Sequence, residues 1–272
     1  MDVKKQKVPQ IPIEDEKVSK VKMSKNELQV KTFDKEIKPP DYRKTKGNVW
    51  ENPKTGERKK AKLRDEEDLR STGSLNNTFK NLRDVICFNF NGDKSEIFVT
   101  LTTGELKSID EINRMFDNFW DRWTRHFKNI PMRCLMVIEP TDWDKYHLHC
   151  IIKRLDDKKF YVKKDIVSEL WGYGIVKVKS VYDKRGIGWY LSTLYVSKKK
   201  KNLKYYRQKF QIYHRRGKFE KIDKLDMKHG DVYNFAEDNN YILDESARFE
   251  LIEEESGEIL NGVTEEYFSR KK

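Results

Sequence analysis

Residues 131 to 152, with the sequence PMRCLMVIEPTDWDKYHLHCII, constrain the fold of this chain more than any other stretch. They predict two β-strands joined by a short polar loop, the first ending at Glu139 and the second opening with His147. Because side chains alternate between the two faces of a strand, His147 and His149 are predicted on one face and Leu148 on the other, core-facing side. Pairing of the two strands around the loop would bring Glu139 beside both imidazoles.

Two histidines and one carboxylate that converge on a sheet face suit a divalent metal ion with open coordination positions. A histidine pair at strand spacing also fits an ordinary polar strand face, but Glu139, eight residues before His147, supplies a third ligand. Such a site suits either a redox-active iron ion or a Lewis-acid metal ion that binds a phosphate. The basic and aromatic C-terminal half of the chain favours the phosphate.

Composition points to a polyanionic partner. The chain has 272 residues and a formal net charge of +12, which suggests nucleic acid first. Its three cysteines are odd in number and scattered, so they predict neither a disulfide framework nor a paired zinc motif. The start lacks the apolar core of a secretory signal, and no apolar run approaches the roughly 20 residues of a membrane span. A cytoplasmic protein with no membrane partner is therefore expected.

Local composition divides the chain into three segments. Residues 1 to 70 are dominated by Lys, Glu and Asp, and we expect a basic, largely disordered N-terminal arm. Residues 71 to 235 carry the periodic apolar patterns of a folded domain. Residues 236 to 272 are acidic and predict a β-hairpin extension, packed on or beside that domain, with a turn over residues 253 to 258.

Within the folded segment, apolar spacing predicts a sequence of short elements. Helical spacing indicates a helix over residues 75 to 86, and β-branched residues predict a strand over 97 to 103. A capping-box pattern at residues 108 to 111 opens a second helix with a broad apolar stripe. A short helix over 162 to 171 ends at glycine, and residues 175 to 179 alternate as a strand.

The region after these elements is the most basic of the chain. Residues 187 to 200 predict a helix that carries Tyr190 and Tyr195, and a tyrosine can act as the nucleophile that cleaves a phosphodiester. Aromatic residues interleave with the basic ones, which suits DNA because cations neutralise phosphates and aromatic faces stack on bases. The basic residues expected to bind DNA are Lys199, Lys200, Lys201, Lys204, Arg207, Arg215 and Arg216.

From about residue 71 to the C-terminus, the chain resembles the HUH (histidine–hydrophobic–histidine) endonucleases, specifically the single-domain rolling-circle replication initiators, or Rep proteins, of small bacterial plasmids and phages. FVTLTT is similar to the first Rep motif and VIEPTDWDKYHLHCII to the second, with its Glu-Pro, variable loop and HLH. GIGWYLSTLY resembles the lead into the tyrosine helix, and SGEILNGVTEEYF resembles the closing hairpin of Gram-positive versions. The order of these motifs makes the resemblance more specific than HLH alone.

The resemblance implies an α+β fold in which a central antiparallel sheet is flanked by helices. It implies a nick in single-stranded or extruded origin DNA that depends on Mg²⁺ or Mn²⁺. The tyrosine keeps the 5′ end covalently, the free 3′-OH primes synthesis, and a later transfer rejoins the circle. Carried over to this chain, Glu139, His147 and His149 would bind the metal ion, and Thr100 and Thr102 of the first motif are expected at the DNA.

The tyrosine motif departs from the family pattern. Family members commonly show Tyr-x-x-Lys; spacing from the preceding motif favours Tyr190, whereas Tyr195 keeps the Tyr-x-x-Lys form with Lys198. Five residues turn a helix by about 500°, so the two tyrosines cannot share a face and a two-tyrosine mechanism is not expected. We favour Tyr190 as the nucleophile and Lys198 as the assisting lysine.

Two alternatives remain open at this stage. One is a related HUH transposase or conjugative relaxase of a mobile element, although typical relaxases place the tyrosine before the histidines. The other is a non-catalytic DNA-binding regulator on the same scaffold. The chain contains no Walker A pattern, so a host helicase and a host DNA polymerase are expected partners of an initiator. The sequence predicts no oligomeric state.

Overall fold

A computed structural model describes residues 3–36, 41–46, 49–60, 71–104, 108–142, 145–181 and 211–271. The chain forms two compact units, each considered by itself below. The terminal unit consists of Met1–Leu63 with Glu220–Lys272, and the central unit consists of Arg64–Phe219.

The described elements alternate between strands and helices. In chain order they are β1 (Val3–Val8), β2 (Val18–Met23), β3 (Glu27–Phe33), β4 (Arg43–Lys44), β5 (Val49–Glu51), β6 (Arg58–Lys60), α1 (Thr72–Asn89), β7 (Glu96–Thr102), α2 (Ile109–His126), β8 (Met132–Asp142), β9 (Lys145–Arg154), α3 (Lys164–Trp171), β10 (Val176–Ser180), β11 (Tyr213–Arg216), β12 (Asp223–Lys228), α4 (His229–Asp238), β13 (Tyr241–Glu253) and β14 (Ile259–Arg270).

The central unit is organised around a five-stranded sheet in the order β10-β7-β9-β8-β11, in which all neighbours are antiparallel. Helix α2 begins at the predicted capping box: the Ser108 hydroxyl accepts a hydrogen bond from the Glu111 N–H, and the Glu111 carboxylate accepts one from the Ser108 N–H. The apolar stripe of this helix is buried and belongs to the main core. Its members are Ile112, Met115, Phe116, Phe119, Trp120 and Trp123.

Helices α1 and α2 cover opposite faces of this sheet. Arg133 faces the same side as Glu139, because both occupy odd positions of β8, and its guanidinium bonds Asn89 of α1 at 2.7 Å. Arg216, on β11 opposite Cys134, faces the other side and lies over the Phe116 ring of α2. The predicted α+β fold, an antiparallel sheet flanked by helices, is confirmed.

The terminal unit contains a six-stranded antiparallel sheet in the order β1-β13-β14-β3-β2-β12. Helix α4 covers one face of this sheet, where Val232 and Ala236 pack into a small core with Leu28, Val30 and Phe268. Strands β4, β5 and β6 form a separate three-stranded sheet.

The N-terminal segment differs from the disordered arm that its composition predicts. Strands β1, β2 and β3 lie within residues 3–33, and β3 pairs with β14 from the opposite end of the sequence. Leu28 and Val30 alternate with polar residues on the other face of β3, so the apolar content looks sparse although the strand is well buried. The physical cause of the difference is long-range pairing, which local composition does not report.

The predicted C-terminal hairpin is confirmed, but it belongs to this sheet. Strands β13 and β14 pair along almost their whole length and turn at residues 253 to 258, where the Gly257 N–H donates to the Glu253 C=O. Because β1 flanks β13 and β3 flanks β14, the hairpin lies inside the six-stranded sheet. The two-unit division therefore differs from the predicted three segments. No helix among the described residues is long and apolar enough to cross a membrane.

Candidate metal centre

Glu139, His147 and His149 meet at one end of the central sheet. Antiparallel pairing of β8 with β9 sets Glu139 directly opposite His147, and strand alternation puts His149 on the same face. One ligand atom from each residue lies within 4.8 Å of the other two. The predicted convergence of the two imidazoles with the carboxylate is confirmed.

His149 is held on several sides. Its Nε2 lies 2.8 Å from Oε2 of Glu139, its Nδ1 lies 3.3 Å from the Thr100 hydroxyl, and the Phe98 ring stacks on the imidazole with centroids 5.6 Å apart. Its side chain is only 4% exposed. These contacts fix the plane of the imidazole, as partners of a metal-binding histidine commonly do.

His147 has a different environment. Its Nδ1 lies 4.0 Å from the same Oε2 of Glu139, and its side chain is 40% exposed. The cluster therefore combines a buried imidazole and a buried carboxylate with a second imidazole that reaches solvent. A substrate can approach this cluster from the side of His147.

The donor set fits a divalent metal ion. Metal–ligand bonds of about 2.0–2.2 Å place neighbouring ligand atoms roughly 3 Å apart, so the widest separation in the cluster must close by about 1–2 Å. The exposed His147 side chain has the freedom to make that adjustment. Three ligands leave coordination positions for oxygen atoms of a substrate. The cluster does not discriminate between Mg²⁺, Mn²⁺ and other divalent ions.

The two threonines of the first predicted motif lie beside the cluster. Thr100 pairs with His149 and Thr102 pairs with His147 across the β7–β9 ladder. The Thr102 hydroxyl donates to the C=O of Ile175 at 2.8 Å. Thr100 thus contacts a candidate ligand, and contact of either threonine with DNA remains a prediction.

The two arginines predicted to bind DNA lie on opposite faces of the sheet. Arg215, opposite Leu135 of β8, shares the face of Glu139 and is exposed. Arg216 faces α2, where it forms an ion pair with Asp117. Of the two, only Arg215 is placed on the side of the cluster.

The remaining predicted residues lie outside the described part of the chain, and their roles remain predictions. They are Tyr190, Tyr195, Lys198, Lys199, Lys200, Lys201, Lys204 and Arg207.

The sequence analysis did not identify Phe98 as a partner of His149. The signal was present, because Phe98, Thr100 and Thr102 alternate along one face of β7 and that strand lies next to β9. Which of these residues stacks on an imidazole depends on the strand register, which local patterns do not define.

The cysteines are not part of this cluster. Cys134 and Cys150 are fully buried on the opposite face of the sheet, as predicted. Burial, reinforced by Cys134, raises the pKa of the Cys150 thiol well above its usual range. A protonated, buried thiol is a packing group.

Comparison with known protein families finds a match for part of the chain. Residues 96–200 match the family model of the replication-associated protein ORF2. The matched segment begins at the first residue of β7 and contains Glu139, His147 and His149. No curated protein and no solved structure matches the chain. This segment is therefore similar to replication-associated proteins.

Proposed function

We propose that the chain is a rolling-circle DNA replication initiator, which nicks one strand of origin DNA and later rejoins it through a covalent 5′-phosphotyrosine intermediate. The observation that carries the proposal is the Glu139–His147–His149 cluster, because it lies within the segment similar to a replication-associated family. The net charge of +12 is consistent with a DNA partner.

In this proposal, Glu139, His147 and His149 hold one Mg²⁺ or Mn²⁺ ion. When bound, the ion supplies Lewis-acid activation of the scissile phosphate. Thr100 keeps the imidazole of His149 in the orientation that metal binding needs, since its hydroxyl lies 3.3 Å from Nδ1. The exposed side of His147 leaves room for the phosphate.

The nucleophile is a tyrosine, with Tyr190 favoured over Tyr195. Its phenolic oxygen loses a proton to solvent and attacks phosphorus, so that a tyrosine–phosphate ester forms and the bond from phosphorus to O3′ breaks. The departing O3′ takes up a proton and becomes the free 3′-OH that primes synthesis. Attack of a 3′-OH on the phosphotyrosine reverses the chemistry and rejoins the strand. Lys198 would stabilise negative charge on the phosphate.

A covalent adduct assay tests this proposal. The protein is incubated with Mn²⁺ and labelled single-stranded oligonucleotides that tile the DNA around its own coding sequence, and the products are separated on a denaturing gel. We expect a labelled protein–DNA adduct that disappears in Tyr190→Phe and persists in Tyr195→Phe. Loss of the adduct only in Tyr195→Phe would reverse the choice of tyrosine.

The same assay separates initiation from regulation. A non-catalytic regulator would bind the oligonucleotides but would form neither adduct nor cleavage product with any of them. That result would overturn the proposed nicking activity and would leave DNA binding as the function.

A further inference from the structure

Strand β10 forms one edge of the central sheet and carries two lysines on the face of the metal cluster. Lys177 pairs with Thr100 and Lys179 pairs with Phe98, and both partners lie on the face of β7 that touches His149. The alternate residue Val176 points to the opposite face and is buried. The alternation of valine and lysine along β10 therefore directs two cations toward the cluster side.

The register places Lys177 in the same cross-strand row as His149. The row runs from Lys177 through Thr100 to His149, across two strand spacings of about 4.8 Å each. Lys179 lies one row further from the cluster, on the same edge. A lysine two strands away can reach a phosphate beside the one held at the cluster, because its four-carbon side chain extends across that interval.

The two lysines retain their charge for a ligand. Both are exposed, and neither forms an ion pair with any residue that the structure describes. The nearest carboxylate on the same face of β7 is Glu96, which is buried and paired with Lys153 at 3.1 Å. No described acid on this face of β7 competes with DNA for the two ammonium groups.

We infer that Lys177 and Lys179 bind phosphates of the same DNA strand whose scissile phosphate lies at the Glu139–His147–His149 cluster. This inference rests on the proposed function and adds to it the direction of the bound strand, which passes over β10. Lysines on an edge strand also discourage pairing with other sheets. That role alone predicts no effect on DNA binding, so the two roles differ in a measurable way.

Binding of a labelled 20-residue oligothymidylate, followed by fluorescence anisotropy in EDTA over a series of salt concentrations, tests the inference. Each phosphate contact on single-stranded DNA contributes about 0.7 to the slope of log affinity against log salt. The double variant Lys177→Gln/Lys179→Gln should therefore flatten the slope by about 1.4 and weaken binding by roughly 25-fold at 0.1 M salt.

The matched control is Lys158→Gln/Lys159→Gln. These two lysines are exposed and follow the far end of β9, so they remove the same charge from the same unit away from His147. We expect the control to bind DNA nearly as the unaltered protein does. Melting curves of both variants check that each one is folded.

The outcomes separate the inference from the proposed function. If the unaltered protein forms the tyrosine adduct but the two double variants bind DNA equally well, the inference fails and the nicking proposal stands. If the unaltered protein forms no adduct but Lys177→Gln/Lys179→Gln alone loses binding, the surface stands and the chemistry fails. If the unaltered protein does not bind the oligonucleotide at all, both are overturned.

Discussion

Both units hold a histidine beside a buried glutamate on a sheet, yet the surroundings of the two pairs differ. In the central unit, Nε2 of His149 lies 2.8 Å from Glu139, and His147 adds a second imidazole that reaches solvent. In the terminal unit, Nδ1 of His229 lies 3.8 Å from Glu266, in a site where both side chains are at most 10% exposed.

The neighbours of His229 are hydroxyl groups. Ser19 and Thr32 each lie 3.4 Å from its Nδ1, and the hydroxyl of Tyr233 donates to Glu266. Among the described residues, the cluster around Glu139 is the only group of three or more His, Cys or carboxylate ligands at metal-binding separation. The comparison shows that a histidine–glutamate pair becomes a candidate metal centre only with a third ligand and access from solvent.

Lysines also differ between the two sheets. On the helix-free face of the terminal sheet, Lys5 and Lys31 both pair with Glu265. Burial opposes ionisation of Glu265, but these two cations outweigh it and lower the pKa of the carboxyl group. On the central sheet, Lys177 and Lys179 have no such partner among the described residues. The same residue type therefore balances charge within one sheet and offers charge to a ligand on the other.

The largest expected effect separates the two glutamates. Glu139→Gln removes the carboxylate ligand and should weaken Mn²⁺ binding by at least about 100-fold, because loss of a residue that only orients a ligand already costs about 10- to 100-fold. The matched variant Glu266→Gln should change Mn²⁺ affinity by less than about twofold, since Glu266 lies outside the cluster. Isothermal titration calorimetry with Mn²⁺ measures both.

A second readout tests whether Glu266→Gln acts where we expect. Burial, and then the hydrogen bond to Glu266, raise the pKa of Tyr233, so removal of the carboxylate charge should lower that pKa in an ultraviolet titration. If Glu266→Gln impaired metal binding as strongly as Glu139→Gln, the distinction between the two pairs would be refuted.

A smaller effect is expected from the residue that orients His149. Thr100→Val keeps the shape of the side chain but removes the hydroxyl that lies 3.3 Å from Nδ1. We expect Mn²⁺ affinity to fall by about tenfold with little change in melting temperature. Thr32→Val, which removes the equivalent hydroxyl beside His229, is the control and should leave Mn²⁺ affinity unchanged. Equal affinities in the two variants would show that Thr100 has no orienting role.

The smallest effect concerns His214 on the edge strand β11. Burial, and then the charge of Arg216, lower the pKa of its imidazole. The folded state therefore keeps the ring neutral at a pH where the unfolded chain, with a histidine pKa of about 6.5, already binds a proton. Stability from this group is present above about pH 6.5 and is lost as the pH falls below that value.

Melting temperatures between about pH 7 and pH 5 measure this contribution. In His214→Leu the decline toward the acidic end should be shallower than in the unaltered protein. His126→Gln, at an exposed position near the end of α2, should follow the unaltered curve. An identical decline in His214→Leu would contradict the proposed proton linkage.

The sequence predicted the central unit well because its signals are local. The capping box of α2, the alternation of β7 and the glycine at the end of α3 each act within a few residues. The position of the metal cluster followed from strand period and one short loop, so Glu139 could be placed beside His147 before the register was known.

The rest was not available from local patterns. Strands β1 and β3 find partners more than 200 residues away, and no short window contains that pairing. The fate of Arg216 depended on which strand face met α2, and one residue of register decides that. The choice between Tyr190 and Tyr195 also remains with experiment, because both are compatible with a helix.

The six-stranded sheet has a consequence for the order of events during translation. Val3 pairs with Glu253, so β1 leaves the ribosome long before its partner exists. At about 5–20 residues per second, the N-terminal strands wait on the order of ten seconds or more. Lys4, Lys5 and Lys7 keep β1 charged during that interval, which opposes aggregation of the nascent chain. The central unit, whose contacts are all encoded between residues 64 and 219, can fold first.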